Sequence, residues 1–282
     1  MIALGPADRR YPGRLLDLRR PPDPLWVDGD ILALRARTVS IVGTRRMTPY
    51  GARVARELAA ACAGAGIVVV SGLAQGVDSA AHAGTLEANG RTIAVIAAGV
   101  AAYLAETRGR RRNLAHAIRA NGALVSEFPP DAPAQRWTFA ERNATIAALG
   151  EITVVVEAPA GSGALITAAQ ARRLRRPVCA VPGPIGAAAS VGTNELIANR
   201  QAHALTGAPM LLAALGLSMA TRADDDPDDD ARVLDALAAS PSDPDALARR
   251  LSLSTTALAA IVARLMIRGR IGTTGDGRLA RR

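Results

Sequence analysis

Short runs of β-branched and aliphatic residues alternate with longer amphipathic segments along residues 39–205. Such runs are typical of strands, and apolar residues spaced three and four apart are typical of helices. The runs predict strands at Val39–Val42, Ile67–Ser71, Thr92–Ala97, Ala123–Ser126, Ile152–Val156, Pro177–Val181 and Ala202–Leu205. Because strands and helices alternate and the runs are apolar on both faces, the pattern predicts a mainly parallel sheet between two helical layers.

This arrangement is an α/β fold of the Rossmann-like, doubly wound type. The intervening segments predict helices at Pro49–Ala63, from Gly76 to about Asn89, up to Ala120, and at Phe139–Leu149, Ala164–Arg175 and Glu195–Asn199. Prolines in residues 1–38 predict an extended lead-in, in which Leu25–Val27 forms a short edge strand before an Asp-Gly turn.

A change in composition marks the end of this pattern. Residues 224–230 contain six aspartates and one proline, a block that repels itself and favours an extended linker. Beyond it, the patterns predict three helices and a Gly-rich hairpin, at Ala231–Ala239, Asp243–Leu251, Ser254–Arg268 and Arg270–Leu279. Three helices followed by a hairpin are typical of a winged helix. We therefore divide the chain into a lead-in (1–38), a Rossmann-like domain (39–223), an acidic linker (224–230) and a small C-terminal winged-helix domain (231–282).

Small and polar residues directly follow three of the predicted strands. Gly43-Thr44-Arg45-Arg46 follows the first, Ser71-Gly72 with Gly76 and Asp78 follows the second, and Glu157 to Gly163 follows the fifth. The carboxyl ends of parallel strands form one rim, where open α/β sheets bind ligands. Glycines there allow close backbone approach, and the helix starts after Gly76 and Ser162 present N–H groups that favour an anion. We expect Asp78 to cap its helix.

The charge of the chain favours a polyanionic ligand. Arginine supplies all 34 basic residues against 25 acidic ones, which gives a formal net charge of +9 and an isoelectric point of about 11.0. A surface of this kind favours nucleic acid first and a membrane surface second. Arginine suits bidentate phosphate contacts, although a codon bias toward arginine and alanine is the favoured explanation for the absence of lysine.

The side chains on the rim divide into phosphate-binding and base-contacting candidates. Arg45 and Arg46 leave a strand end beside a glycine, a geometry that lets a guanidinium meet a phosphate. Arg142 and Asn143 are candidates for phosphate and base or sugar contacts, and Phe139 either stacks on a base or belongs to the core. Ser162 and Thr167 either present hydroxyls to an anion or serve only as helix-start residues.

The remaining composition limits the location and chemistry of the protein. Cys62 and Cys179 stand in apolar segments, which favours buried free thiols over a disulfide or a metal site. The sequence has no secretory-type apolar segment at its start and no apolar run of 18 or more residues, so we expect a cytoplasmic protein without a membrane partner. The pattern offers no nucleophile constellation and no metal cluster, so we expect neither catalysis nor a cofactor.

Several ordered motifs carry a resemblance to a known family. They are Val42-Gly43-Thr44-Arg45-Arg46, Ser71-Gly72-Leu73-Ala74-Gln75-Gly76-Val77-Asp78, Phe139 with Arg142-Asn143, Ser162-Gly163-Ala164-Leu165-Ile166-Thr167-Ala168 and Val181-Pro182-Gly183. With these motifs, residues 11–215 resemble the DprA/Smf DNA-processing proteins, and the C-terminal residues resemble the winged-helix domain of that family.

The resemblance implies a function and a set of site residues. It implies a non-catalytic homodimer that binds single-stranded DNA without strong sequence preference and promotes loading of the recombinase RecA during DNA uptake in natural transformation and recombination. The dimer surface is expected near residues 183–215. The implied phosphate- and DNA-binding residues are Gly43, Thr44, Arg45, Arg46, Ser71, Gly72, Gly76, Asp78, Phe139, Arg142, Asn143, Ser162, Gly163 and Thr167.

A second reading belongs to a different class of protein. Phosphoribohydrolases have similar Rossmann-like domains and combine a Gly-rich phosphate loop with a catalytic Glu and Arg. Gly161-Ser162-Gly163 with Glu157 is a partial match to that combination. The basic charge and the predicted winged helix favour DNA as the ligand.

Overall fold

The computed structural model describes residues 1–217, 227–253, 255–267, 269–274 and 276–281. The chain forms two compact units, Met1–Leu217 and Ser218–Arg282. In the larger unit the strands are β1 (Ile2–Leu4), β2 (Leu25–Gly29), β3 (Thr38–Val42), β4 (Val68–Ser71), β5 (Thr92–Ile96), β6 (Gly122–Ser126), β7 (Ile152–Val155), β8 (Val178–Ala180) and β9 (His203–Ala204). Its helices are α1 (Pro49–Gly64), α2 (Val77–Glu87), α3 (Val100–Glu106), α4 (Gly109–Ala120), α5 (Thr138–Leu149), α6 (Gly163–Arg173), α7 (Val191–Ala198) and α8 (Ala208–Ala214), with 3-10 turns at Gly13–Asp17, Ile31–Arg35 and Ala188–Ser190.

All nine strands of the larger unit form one sheet, in the order β1-β2-β6-β5-β4-β3-β7-β8-β9. The strands from β6 to β9 in this order pair in parallel, and β3 lies between β4 and β7. Successive strands β3 to β6 step to one side of β3, whereas β7 to β9 step to the other. This reversal confirms the doubly wound, mainly parallel sheet that the sequence predicts, and it places a crevice where β3 and β7 end.

Residues 1–38 differ from the predicted lead-in. The sequence predicts a short edge strand at Leu25–Val27, but β2 lies between β1 and β6 and pairs antiparallel with both. Its Leu25 and Val27 are buried in the core, as are Leu4 of β1 and Leu15 of the first 3-10 turn. The edge-strand prediction was therefore wrong, because the apolar N-terminal residues extend the sheet beyond β6.

Alternate residues of the central strands enter two cores. On one face, Val42 and Val155 pack with α5 and α6; on the other, Ile41 and Val154 pack with α1 and α2. Cys62 and Cys179 are buried and free, and burial raises the pKa of the two thiols to about 12 and about 11. These cysteines therefore act as small apolar side chains. No helix within the described residues is long and apolar enough to cross a membrane.

The smaller unit contains α9 (Pro227–Ala239), α10 (Pro244–Leu251) and α11 (Thr255–Ile267), followed by the antiparallel hairpin β10 (Ile271–Thr273) and β11 (Leu279–Arg281). Its core includes Val233, Leu247 and Ile261. Asp243 caps α10 by accepting hydrogen bonds from the N–H groups of Asp245 and Ala246. These elements agree with the predicted winged helix.

The predicted linker differs in part from the structure. Residues 227–230 open α9 and are not an extended segment, because Pro227 suits a first helical turn and the aspartates favour a helix N-terminus. Residues 224–226 of the predicted linker and Ser254, the first residue of a predicted helix, lie outside the described residues.

Candidate nucleic-acid interface

A cleft of about 470 Å³ lies where the strand order reverses, and we call it the switch-point cleft. Its walls are the loop after β3, the first turns of α5 and the loop that leads from β7 into α6. The predicted site residues that line it are Gly43, Thr44, Arg45, Arg46, Asp78, Phe139, Arg142, Asn143, Ser162, Gly163 and Thr167. The loops after β3 and β7, which are far apart in sequence, therefore meet at one rim with the start of α5, as the strand pattern predicts for the two loops.

The loops after β3, β4 and β7 are connected by backbone hydrogen bonds. The Thr44 N–H donates to the Glu157 carbonyl at 2.7 Å, and the Val77 N–H donates to the Thr44 carbonyl at 3.2 Å. Gly76 has a positive φ of 89°, and a Cβ there would lie 2.3 Å from the Thr44 oxygen. The loop after β4 therefore supports the loop after β3, and its Ala74 also lines the cleft.

This packing separates three predicted site residues from the cleft. Ser71 is fully buried and donates its hydroxyl to the Ile41 carbonyl at 2.6 Å, inside the sheet. Gly76 is buried against Thr44, so the expected anion site at the start of α2 is occupied by protein. Gly72 lines a neighbouring, smaller cleft. These three residues support the loops of the rim and do not line the switch-point cleft.

Asp78 has a different role from the predicted helix cap. Gly76 is the N-cap residue of α2, and the Asp78 carboxylate points back, where it accepts hydrogen bonds from the N–H groups of Gly72 at 3.1 Å and Ala74 at 3.4 Å. The Arg142 guanidinium lies 3.9 Å from it. The capping prediction was wrong because the carboxylate orders the preceding loop and faces a buried cation.

Burial dominates the electrostatics of this pair. Asp78 and Arg142 are each only 5% exposed. Burial raises the pKa of Asp78, while Arg142 and the two backbone donors oppose that shift; burial likewise lowers the pKa of Arg142, against the attraction of Asp78. Arg142 also donates to the Val95 carbonyl at 3.5 Å. It thus contributes positive charge from the floor of the cleft.

Phe139 lies between two arginines. The Arg45 guanidinium carbon is 5.3 Å from the centre of its ring, and that of Arg142 is 5.9 Å away. The ring is half-buried in the wall of the cleft, and Arg45 and Arg46 beside it are exposed. An aromatic face held between cations offers both a stacking surface and phosphate contacts.

The start of α6 forms the opposite wall. Ser162 caps this helix, since its hydroxyl accepts from the Ala164 N–H at 3.3 Å, and Gly163 is exposed. The Asn143 side chain donates to the Gly163 carbonyl at 3.3 Å and links this wall to α5. Thr167 is buried one turn further on. The helix start is therefore open to the cleft, which favours an anion.

Sequence reasoning missed one basic residue of the cleft. Arg136 is exposed and lines the cleft beside Phe139. The sequence feature that could have identified Arg136 is its position three residues before Phe139, in a polar stretch that leads into a helix.

Glu157, the residue on which the phosphoribohydrolase reading depends, is engaged elsewhere. Its buried carboxylate accepts hydrogen bonds from the Thr48 N–H at 2.9 Å and the Thr48 hydroxyl at 2.5 Å. Its side chain lines a different hollow, beside Tyr50 and Pro182. Glu157 therefore orders the loop before α1.

Fold and site together define an α/β protein with an arginine-lined cleft at the switch point of a doubly wound sheet. Residues 3–216 match the family described as DNA recombination-mediator protein A, and residues 217–277 match the DprA winged helix domain. The chain belongs to the DprA/Smf family of DNA-processing proteins. The resemblance predicted from the motifs is thereby confirmed.

Individual relatives agree with this assignment. Protein Smf of Escherichia coli is 40% identical over 193 residues, which are 68% of this chain and 51% of that protein. The chain spans about half the length of this relative. DNA processing protein A from Streptococcus pneumoniae has a solved structure with a TM-score of 0.70 and 32% identity, covering 75% of this chain and 73% of that one.

A second solved structure is of DNA processing protein A from Helicobacter pylori, reported for its single-stranded DNA binding mode. It aligns with a TM-score of 0.66 and 29% identity, covering 73% of this chain and 92% of that one.

Proposed function

We propose that this chain binds single-stranded DNA, without strong sequence preference, in the switch-point cleft. The observation that carries the proposal is Phe139 held between Arg45 and Arg142 at the mouth of an arginine-lined cleft. Arginines bind the phosphates of any sequence, and an aromatic ring stacks on any base, so this combination is sequence-tolerant. The Helicobacter pylori relative, whose reported subject is single-stranded DNA binding, supports the same ligand.

The proposed role is non-catalytic delivery of DNA to the recombinase RecA, by a homodimer. The family description as a recombination mediator supports this role, in natural transformation or in general recombination. The engagement of Glu157 by Thr48 supports a binding function over the phosphoribohydrolase alternative, because that carboxylate neither faces the switch-point cleft nor is free to act as a base.

A binding titration tests the proposal. Fluorescent single-stranded and duplex oligonucleotides are titrated with wild type, Arg45→Ala and Arg173→Ala over a salt series. Arg173 is an exposed arginine at the far end of α6 and serves as the matched control. Salt-dependent preference for single strands, weakened by Arg45→Ala alone, supports the proposal. Equal binding of duplex, or equal effects of both substitutions, contradicts it.

RecA loading needs its own assay. The protein is added to RecA and to single-stranded DNA coated with a single-strand binding protein, and filament formation is followed by ATP hydrolysis. Faster filament formation with wild type and not with Arg45→Ala is expected. An unchanged lag at saturating protein contradicts a loading role and leaves DNA binding unaffected.

A further inference from the structure

A smaller cleft of about 260 Å³ adjoins the switch-point cleft, and we call it the second cleft. Arg45, Phe139 and Arg142 line both clefts and form the wall that they share. Apolar atoms of Leu73 and Ile96 contribute to the rest of the second cleft. A strand bound against one face of Phe139 would therefore meet the second cleft directly beyond it.

Two buried polar groups at this cleft have no partner. Arg142 is 95% buried, and its Nε atom has no hydrogen-bond partner. The hydroxyl of Tyr103, which also lines the cleft, is buried; the Thr107 side chain is near enough to oppose the rise that burial causes in its pKa, but no protein group is in hydrogen-bonding geometry with it. A buried polar group without a partner destabilises the fold, so such groups in a cleft indicate a ligand that satisfies them.

An arginine cluster stands at the opening of the second cleft. Arg111 lines the cleft, and Arg110 and Arg112 are its neighbours in the first turn of α4. All three are exposed, and within the described residues none forms an ion pair. Glu106 is the acidic residue that lines the cleft.

The position of this cluster is unfavourable for the fold itself. The first turn of α4 contains no acidic residue, and a helix N-terminus favours negative charge. Neighbouring guanidinium groups also repel one another. A cluster that opposes both the helix dipole and its own neighbours, beside a cleft with unsatisfied donors, is well suited to a bound polyanion.

We propose that the second cleft is a further nucleotide subsite of the same DNA strand. One base enters between Phe139 and Tyr103, where the Tyr103 hydroxyl meets its polar edge, and the following phosphates contact Arg110 and Arg111. The strand thus leaves the switch-point cleft along α4. This inference rests on the proposed single-strand binding and adds the direction and extent of the bound strand.

A length series with two double variants tests the path. Arg110→Gln/Arg111→Gln removes two cations from the cluster. Arg172→Gln/Arg173→Gln removes two exposed cations from the last turn of α6, which packs on β7 and β8. Oligothymidylates of increasing length are titrated with each protein. The first variant should bind the shortest oligonucleotides like wild type and lose only the gain in affinity that wild type shows on lengthening.

The salt dependence adds a second readout. Loss of two phosphate contacts reduces the slope of log K against log salt by roughly 1.4 for a long single strand. Equal losses in the two double variants, or none in either, overturn the subsite. A wild-type protein that binds no single strand overturns the proposed function itself, so the two failures are distinct.

Tyr103→Phe examines the base-contacting end of the subsite. Removing a hydroxyl that lacks a protein partner should leave Tm unchanged or raise it, yet weaken binding of long oligonucleotides by roughly fivefold, the effect of one neutral hydrogen bond. Unchanged affinity at unchanged or higher Tm would show that the hydroxyl meets no DNA and overturn its assigned role.

Discussion

The guanidinium of Arg142 lies 3.9 Å from the carboxylate of Asp78, and both side chains are almost completely buried beneath the wall of the switch-point cleft. The carboxylate holds the loop after β4 through two backbone N–H groups, while the guanidinium extends under Phe139. One ion pair therefore connects the loop that supports the rim to the helix that carries the aromatic ring.

Breaking this ion pair should lower the free energy of unfolding of the larger unit. Asp78→Asn leaves Arg142 buried without a counter-charge, and we expect a loss of about 3–5 kcal/mol in the free energy of unfolding at pH 7. Both tryptophans, Trp26 and Trp137, belong to the larger unit, so tryptophan fluorescence in urea reports on that unit. Glu57→Gln, which breaks an exposed pair with Arg53, is the control and should change little. Equal small effects would contradict the structural role of the pair.

Gly72 is required by the position of Arg142. A Cβ built on Gly72 would lie 1.3 Å from Arg142 Nη1 and 2.8 Å from Asp78 Oδ2. Gly72→Ala should therefore displace the guanidinium, lower Tm and weaken DNA binding. Gly64→Ala is the matched control, because Gly64 is exposed at the end of α1 and a Cβ there has nothing within 4 Å. Wild-type Tm and affinity for Gly72→Ala would refute this packing.

Phe139 and Arg45 should contribute to binding in separable ways. Phe139→Leu removes base stacking, worth about 1–3 kcal/mol per base, and should weaken single-strand binding by roughly 5- to 150-fold with little change in salt slope. Arg45→Ala removes a phosphate contact and should lower the slope by about 0.7. Titrations at four or more salt concentrations separate the two effects. A large slope change in Phe139→Leu would mean that the ring acts mainly by positioning Arg45.

His82 predicts a pH dependence of stability. Thr92 donates its hydroxyl to the Val69 carbonyl, so the His82 Nδ1–H must donate to Thr92 at 2.7 Å, and Nε2 is buried without a partner. Burial lowers the pKa of His82 to about 3, with Arg142 adding to the shift. The unfolded chain then binds the extra proton below its ordinary pKa near 6.5, and stability falls as pH drops from about 6.5 toward 3.

The magnitude follows from the same linkage. Between pH 7 and pH 5 one such histidine removes about 2 kcal/mol from the free energy of unfolding. Urea denaturation at the two pH values should show this loss in wild type and a smaller one in His82→Asn, which keeps a donor toward Thr92. Parallel pH profiles for the two proteins would place the protonation on other groups.

The sequence predicts which loops form the rim better than it predicts what each side chain of the rim contacts. The strand ends and their glycines are local signals, and parallel topology alone brings Arg45, Phe139 and Ser162 together. The role of Asp78 is not local, because the carboxylate turns toward a loop and a buried arginine that only the tertiary fold supplies. Arginine is seldom buried, so no pattern marks Arg142 as part of the floor.

The short elements were the least predictable. The sequence pattern shows neither β1 nor α8, since three to seven residues carry too little periodicity to decide between strand, helix and loop. The antiparallel position of β2 depends on contacts with β6, nearly a hundred residues away along the chain. A proline-rich stretch before it gave the opposite indication, an edge strand.

The pairing of β2 with β6 also constrains the order of events during synthesis. Trp26 pairs with Ser126, and Gly29 with Ala123, so the place of β2 in the sheet does not exist until β6 has been made. Because a chain leaves the ribosome N-terminus first, Leu25 and Val27 stay unpaired while four later strands, β3 to β6, are translated. The β2 segment can therefore dock only once β6 has been made, at a point when β7 to β9 are still to be translated.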